Sequence, residues 1–133
     1  MNFETHGYFV NSVRDGIYLI HPHGSWNDVD GKALIDDMTE KTLQLQGSPW
    51  GIHVDLRDWA LCTPDVWEMF KAFIPFMVAR DLKFQAVVTC PETQIIQQHL
   101  MGDLFKEVPQ MYWQVFTDED LAFQWCQEQL KRW

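Results

Sequence analysis

The chain has 133 residues, and its 10 Lys and Arg against 19 Asp and Glu give a formal net charge of −9. This length is typical of one domain with one core, so we predict a single domain over residues 1–133. The acidic balance and the lack of any Lys/Arg run argue against a phosphate-binding surface, and we expect neither nucleic acid nor an anionic membrane as a partner.

Residues 1–6 lack the charged start and apolar core of a signal peptide. The longest apolar stretch, residues 66–79, is interrupted by Glu68, Lys71 and Pro75 and is too short to cross a bilayer. The sequence therefore predicts a cytoplasmic protein without a membrane span.

Residues 7–20 have the pattern of a β-hairpin. Two apolar runs flank Asp15-Gly16, and this pair favours the type I′ turn, which needs a positive φ at both central positions. Pro22 cannot donate to a neighbouring strand, so we expect the second strand to end near His23-Gly24 or to lie at an exposed edge there.

A helix is predicted from Asn27, which can cap it together with Asp28, to Gly47, which can end it. The residues of its inner stripe are Leu34, Ile35, Met38, Thr42 and Leu45. Strands and helices then alternate: strands over 50–56, 84–89 and 111–116, and helices over 64–80, 92–106 and 118–132, the last with Thr117 and Asp120 as a capping box.

This alternation predicts an α/β fold with a mainly parallel sheet and an antiparallel N-terminal hairpin, in the order β-β-α-β-α-β-α-β-α. The segment Phe84–Cys90 is apolar almost throughout, as is typical of a strand covered on both faces.

The chain resembles the STAS fold in the order of its elements and in three stretches of sequence. These are the opening DGIYLIHPHG, the strand IHVDLRDW with Asp55 near its end, and the closing DEDLAFQWCQ with Ala122 and Trp125. This fold is shared by bacterial anti-sigma-factor antagonists and the cytoplasmic tails of anion transporters. The chain looks most like the stand-alone bacterial STAS-like proteins that are sometimes grouped with lipid-carrying Sec14-type domains. The resemblance implies a protein partner that binds around the turn after the strand carrying Asp55.

In the anti-sigma-factor antagonists this turn carries an Asp-Ser-Ser-Gly-like motif whose serine is phosphorylated. Aligned without gaps from Asp55, the acid of the motif falls at Thr63 and its phosphorylated serine at Pro64, so the motif is absent. Thr63 is the neighbouring hydroxyl. Its pattern with Pro64 and Asp65 favours a helix cap, and phosphorylation of Thr63 is the alternative.

The histidines and cysteines are candidate metal ligands and nucleophiles. His21 and His23 lie two residues apart on one strand face, but no spacing identifies a third ligand, so no metal site is predicted. His53 and His99 are expected to be hydrogen-bonded structural residues. The cysteines, Cys62, Cys90 and Cys126, are odd in number and widely spaced, which favours reduced thiols. Cys62 before a helix could be a nucleophile with His53 as its base, but the simpler prediction is a small buried residue.

The helix from Pro64 has an unusually wide apolar arc. Its inward stripe is extended by Trp67, Met69, Phe76 and Val78, which leaves a narrow polar face. Deep packing explains this arc most simply. The alternatives are a homodimer or partner face and a pocket for an apolar ligand.

These features together predict a non-catalytic regulatory or protein-interaction module without a cofactor. The predicted partner or ligand site comprises Asp55, Asp58, Cys62, Thr63, Trp67 and Phe76. A carrier or sensor of a small, lipid-like apolar ligand is the first alternative, and a thiol-dependent enzyme using Cys62 is the second.

Overall fold

A computed structural model describes residues 7–133, and the expectation drawn from residues 1–6 lies outside this range. The strands are β1 (Gly7–Arg14), β2 (Ile17–Trp26), β3 (Trp50–Asp55), β4 (Trp59–Cys62), β5 (Leu82–Val88) and β6 (Tyr112–Phe116). The helices are α1 (Asp28–Thr42), α2 (Pro64–Val78), α3 (Gln94–Phe105, after a short 3₁₀ turn) and α4 (Glu119–Leu130). None of the helices within residues 7–133 is long and apolar enough to cross a bilayer.

The sheet has the order β1-β2-β3-β5-β6, in which only β1 and β2 are antiparallel. Asp15 and Gly16 form the hairpin turn with φ values of 53° and 81°, as the type I′ turn requires. The predicted α/β fold and its N-terminal hairpin are confirmed.

The structure adds one strand to the predicted order. Residues 59–62 form β4, which pairs in parallel with the far end of β2 after β3 has ended. The pairing of β2 with β3 ends at Ile20, and that with β4 starts at Gly24, whose amide donates to the Asp58 carbonyl at 3.0 Å. Amides two residues apart in a strand point the same way, so the Pro22 nitrogen, which carries no hydrogen, points to the gap between the part of β2 that pairs with β3 and the part that pairs with β4. The expectation that β2 ends near His23 was therefore wrong.

The two faces of the sheet are covered unequally. On the first face, called here the three-helix face, α1, α2 and α3 enclose the larger core, which includes Ile52 and Val54 of β3. On the opposite face, the α4 face, α4 covers β3 and β5 through Ala122 and Cys126. The α4 face of β1 and of the far half of β2 is left open, and Tyr8 and Val10 there are exposed, whereas Ile17 at the start of β2 is buried with α4.

Two predicted helix ends differ from the structure. The Asn27 cap of α1 is confirmed, and Asp30 completes a capping box, but α1 ends at Thr42, so Gly47 does not close it. α4 is capped by Asp118, whose side chain accepts from the Leu121 amide, in place of the predicted pair Thr117 and Asp120. A carboxylate one residue later in the chain is the stronger acceptor at this helix start.

Candidate functional site

The carboxyl end of β3 and the turn that follows bring several predicted site residues together. Asp55 ends β3 on the α4 face and is buried, with 4% of its surface exposed. Residues 57–58 form an exposed turn, and β4 then returns the chain to β2. Ligands of parallel α/β sheets commonly bind at this end of the strands, so the turn is the natural place to look for a site.

An ion-pair network holds the Asp55 carboxylate. The Arg57 guanidinium donates to both Asp55 oxygens, at 2.9 Å and 2.6 Å, and to Glu119 of α4 at 2.8 Å. Burial by itself would raise the pKa of Asp55, but the hydrogen bonds from Arg57 outweigh it and hold the pKa below its usual value. Asp55 is therefore a structural anion that fixes the turn against α4.

Next to this network, His21, His23 and Asp58 lie together on the α4 face. His21 Nε2 is 2.7 Å from Asp58 Oδ2 and 3.8 Å from Asp55 Oδ2. The His21 and His23 rings are 4.1 Å apart between centroids, and Tyr8 stacks on His23 at 4.5 Å. The third residue beside the two histidines could not be found from sequence spacing, because Asp58 comes from a different turn.

Thr63 stands at the N-cap of α2, as predicted, but its hydroxyl makes no capping hydrogen bond. The Thr63 carbonyl instead accepts from the Val66 amide at 3.1 Å and the Trp67 amide at 3.2 Å. The prediction of a side-chain cap was wrong. Pro64 at the first helical position is confirmed, and its φ is suited to a helix start without help from the hydroxyl. Thr63 is exposed.

Cys62 lacks the surroundings of a nucleophile. Its side chain packs against the core of the three-helix face, whereas His53 points to the α4 face and packs edge-on against Phe123 at 6.2 Å. Burial raises the pKa of Cys62, which lowers its thiolate fraction at neutral pH. Cys62, Cys90 and Cys126 are all free thiols in the structure.

The two other histidine expectations are only partly met. His53 is buried, and its Nε2 makes no hydrogen bond within residues 7–133. Burial lowers the pKa of His53 below its usual value, so the ring is neutral at pH 7. His99 is exposed on α3 rather than part of the core.

Trp67 and Phe76 lie on different sides of α2. They are nine residues apart, or about two and a half helical turns, which places them on opposite sides of the helix. Trp67 donates from its indole to Asp103 of α3 at 2.9 Å, whereas Phe76 is 46% exposed and packs on Phe73. The structure therefore does not bring these two predicted site residues together.

An apolar cavity of about 100 Å³, partly open to solvent, lies between the sheet and the three helices. Trp67, Trp59, Phe70 and Phe73 are among its lining residues, and Gln85 is its polar exception. Ligand pockets for drug-sized molecules measure roughly 300–1,000 Å³. The cavity is thus too small for a fatty acid.

The fold is STAS-like. The structure is similar to that of an uncharacterised protein of the DUF3478 family from Shewanella loihica PV-4, described as having a SpoIIAA-like fold, with a TM-score of 0.67 and 12% identity over 95% of this chain and 98% of that one. It is also similar to an anti-sigma factor antagonist from Mycobacterium paratuberculosis, with a TM-score of 0.62 and 17% identity over 91% of this chain and 94% of that one. No protein-family model matches the sequence, and no curated protein matches it either.

Proposed function

We propose that this chain is a non-catalytic, cytoplasmic regulatory module that binds a protein partner through the segment between Asp55 and Trp67. The likeness to an anti-sigma factor antagonist over nearly the whole chain favours a regulatory role of this kind. Fold alone does not determine function, so the proposal depends on the surface itself.

The observation that carries the proposal is a group of exposed residues in one chain segment at the carboxyl end of the sheet. Its exposed residues are Arg57, Asp58, Ala60, Thr63, Pro64 and Asp65. Within residues 7–133, β4 pairs only with β2, so its second edge carries unpaired backbone groups that an incoming strand of a partner can bind.

The charge of this segment indicates the kind of partner. Arg57 is already neutralised by Asp55 and Glu119, whereas Asp58 and Asp65 present carboxylates to solvent. A basic partner surface would complement them, and such an interaction weakens as salt is added.

Photo-crosslinking tests the location of the contact. A photoreactive amino acid replaces Ala60 in one variant and Leu43, which is exposed after the far end of α1, in the control. We expect the variant at 60 to trap a discrete partner from cells and the variant at 43 not to. If both positions trap the same proteins equally, the proposed surface is wrong.

Thr63 is the proposed regulatory point within this surface. Its hydroxyl is exposed and is not used as a cap, so a kinase could modify it without breaking α2. A phosphate would add negative charge beside Asp65 and so strengthen the attraction of a basic partner surface. Thr63→Glu should alter partner binding while Thr63→Val does not, and equal binding by both would remove Thr63 from the mechanism.

The cavity supports a second candidate function, the binding of a small apolar molecule. A site of about 100 Å³ suits a molecule of roughly one aromatic ring, by comparison with engineered cavities of about 150 Å³ that bind benzene. A carrier should gain thermal stability with benzene or indole and none with a fluorescent fatty acid. Unchanged melting with all three would end this alternative.

A further inference from the structure

We propose that His21, His23 and Asp58 form a binding site for a divalent first-row transition metal ion. One ligand atom from each of the three residues lies within 4.8 Å of the other two. Imidazole and carboxylate ligands favour Zn²⁺, Co²⁺, Ni²⁺ or Fe²⁺ over Ca²⁺ and Mg²⁺, which prefer oxygen ligands alone.

The distances require only side-chain rotations to close around an ion. With metal–ligand bonds of about 2.0–2.2 Å, neighbouring ligand atoms are about 2.8–3.6 Å apart in octahedral and tetrahedral sites. The His21–Asp58 pair, now 2.7 Å apart, must open slightly, and the other separations must shorten by at most about 2.0 Å. Rotations about χ1 and χ2 cover such changes.

The backbone that carries these ligands is held in place. His21 and His23 alternate with Pro22 in β2 and so project from the same face. Asp58 is tied to β2 because the Gly24 amide donates to the Asp58 carbonyl at 3.0 Å, and Trp26 donates from its indole to the His23 carbonyl at 3.0 Å. Two ligands therefore come from one strand and the third from a short turn that is hydrogen-bonded to that strand.

The surroundings favour a cation and give it access. The Asp55 and Glu119 carboxylates flank the Arg57 guanidinium, and the Asp58 carboxylate lies against His21, so three carboxylates near the site accompany one guanidinium. The His21 side chain is 34% exposed and the Asp58 side chain 56%, so an ion can enter from solvent. Asp55 Oδ2, 3.8 Å from His21 Nε2, adds negative charge close to the site.

Three protein ligands leave at least one coordination position open, as in sites that also bind water or a further ligand. Such an ion would join β2 to the turn before β4, immediately beside the proposed partner surface. Binding to the folded chain alone should also raise its melting temperature.

Cobalt titration of the full chain tests the site, with Co²⁺ as a visible probe and Zn²⁺ as a competitor. We expect one Co²⁺ per chain with the absorption of a nitrogen and oxygen ligand set and without a thiolate charge-transfer band. His21→Ala and His23→Ala should each lose affinity by about 100-fold or more, since even outer-shell changes cost about 10–100-fold. Asp58→Asn should weaken binding in the same direction.

His99→Ala is the matched control, because His99 is exposed on α3, away from the three ligands; its affinity should equal that of the wild type. Binding of the double variant His21→Ala/His23→Ala at wild-type affinity, or no uptake by the wild type, would overturn the proposal. If the variants unfold, the proposal can still be tested on the wild type, by the paramagnetic broadening of its NMR signals by Co²⁺. Broadening centred on the ring signals of Tyr8, His21 and His23 supports the site, and broadening elsewhere refutes it.

Discussion

At the scale of single residues, hydrogen bonds and ion pairs determine what Thr63 and Asp55 do in the fold. Thr63 and Asp55 lie where they were predicted, but the Thr63 hydroxyl makes no cap and Asp55 is buried by Arg57. The metal-site residues were missed as a set, because Asp58 joins the histidines only through the pairing of β4 with β2. Local patterns predict helix starts well, whereas contacts between distant turns depend on tertiary structure.

The two helix N-caps should contribute unequally to stability. Asn27→Ala removes a capping box and should destabilise the protein by about 1 kcal/mol. Thr63→Ala removes a hydroxyl without a capping bond and should cost less than about 0.5 kcal/mol. Urea unfolding of both variants measures the difference, and equal losses would mean that Thr63 does cap α2 in solution.

The Asp55–Arg57 pair should make stability depend on acid. The pKa of Asp55 is lower in the folded chain, so this group stabilises the fold above its unfolded pKa of about 3.9, and the stabilisation is lost as pH falls through the folded value. Arg57→Ala should cost about 2 kcal/mol at pH 7, because it leaves a buried carboxylate without its partner. The loss should shrink as pH falls below about 3.9.

Urea unfolding at several pH values measures this effect. Lys32→Ala, which removes an exposed ion pair with Asp36, is the matched control and should change stability by less than about 0.5 kcal/mol at any pH. A loss for Arg57→Ala that is the same at pH 3 and pH 7 would contradict the role given to Asp55.

Cys62 should react slowly with alkylating agents. Burial raises its thiol pKa, so less thiolate is present at neutral pH than in a free thiol. Iodoacetamide labelling followed by mass spectrometry should show a slower rate at Cys62 than for N-acetylcysteine at pH 7. Faster labelling would restore the alternative of a thiol-dependent enzyme.

At the scale of elements, periodicity predicted the hairpin and the alternation of strands with helices correctly. The short strand β4 was missed because four residues between a turn and a helix give too little alternation to recognise. The wide apolar arc predicted for α2 does not form a single surface, because Trp67 packs towards α3 while Phe76 lies on the opposite side of the helix. A wide apolar arc shows that a helix packs on several neighbours without showing which residue meets which.

The pairing of β3 with β5 predicts that alanine substitutions at two glycines differ sharply in their effect on stability. A Cβ on Gly51 would overlap the ring of the fully buried Phe84, so Gly51→Ala should destabilise by about 3 kcal/mol or prevent folding. Gly102→Ala in α3 would contact only Trp113 at 4.0 Å and should be neutral or stabilising by up to about 1 kcal/mol. Thermal melting followed by circular dichroism compares them, and a tolerated Gly51→Ala would contradict the packing.

At the scale of the whole molecule, residues 7–133 form an α/β fold with a net acidic chain and an exposed segment at the carboxyl end of its sheet. Its STAS-like fold could be recognised from the order of elements and from packing motifs such as Ala122 with Trp125. The partner could not be inferred in the same way, since surface residues that bind a partner carry no periodic pattern.

The homodimer alternative makes a separate prediction. Phe76 is exposed, but its ring is partly covered by the Arg80 guanidinium at 4.9 Å and by Phe73 at 5.5 Å, so it forms only a small patch. Light scattering after gel filtration should therefore give the same mass for the wild type and for Phe76→Asp. A folded variant of half the wild-type mass would instead place a dimer interface on α2.

The proposed partner surface is tested most directly by calorimetry. The affinity of the partner found by crosslinking is measured for the wild type, Ala60→Arg and Leu43→Arg. Both substitutions add the same charged side chain at an exposed position, so only their location differs. We expect Ala60→Arg to weaken binding at least about tenfold, which corresponds to about 1.4 kcal/mol, and Leu43→Arg to leave it unchanged. Equal affinity of all three proteins would show that the partner does not bind at the carboxyl end of the sheet.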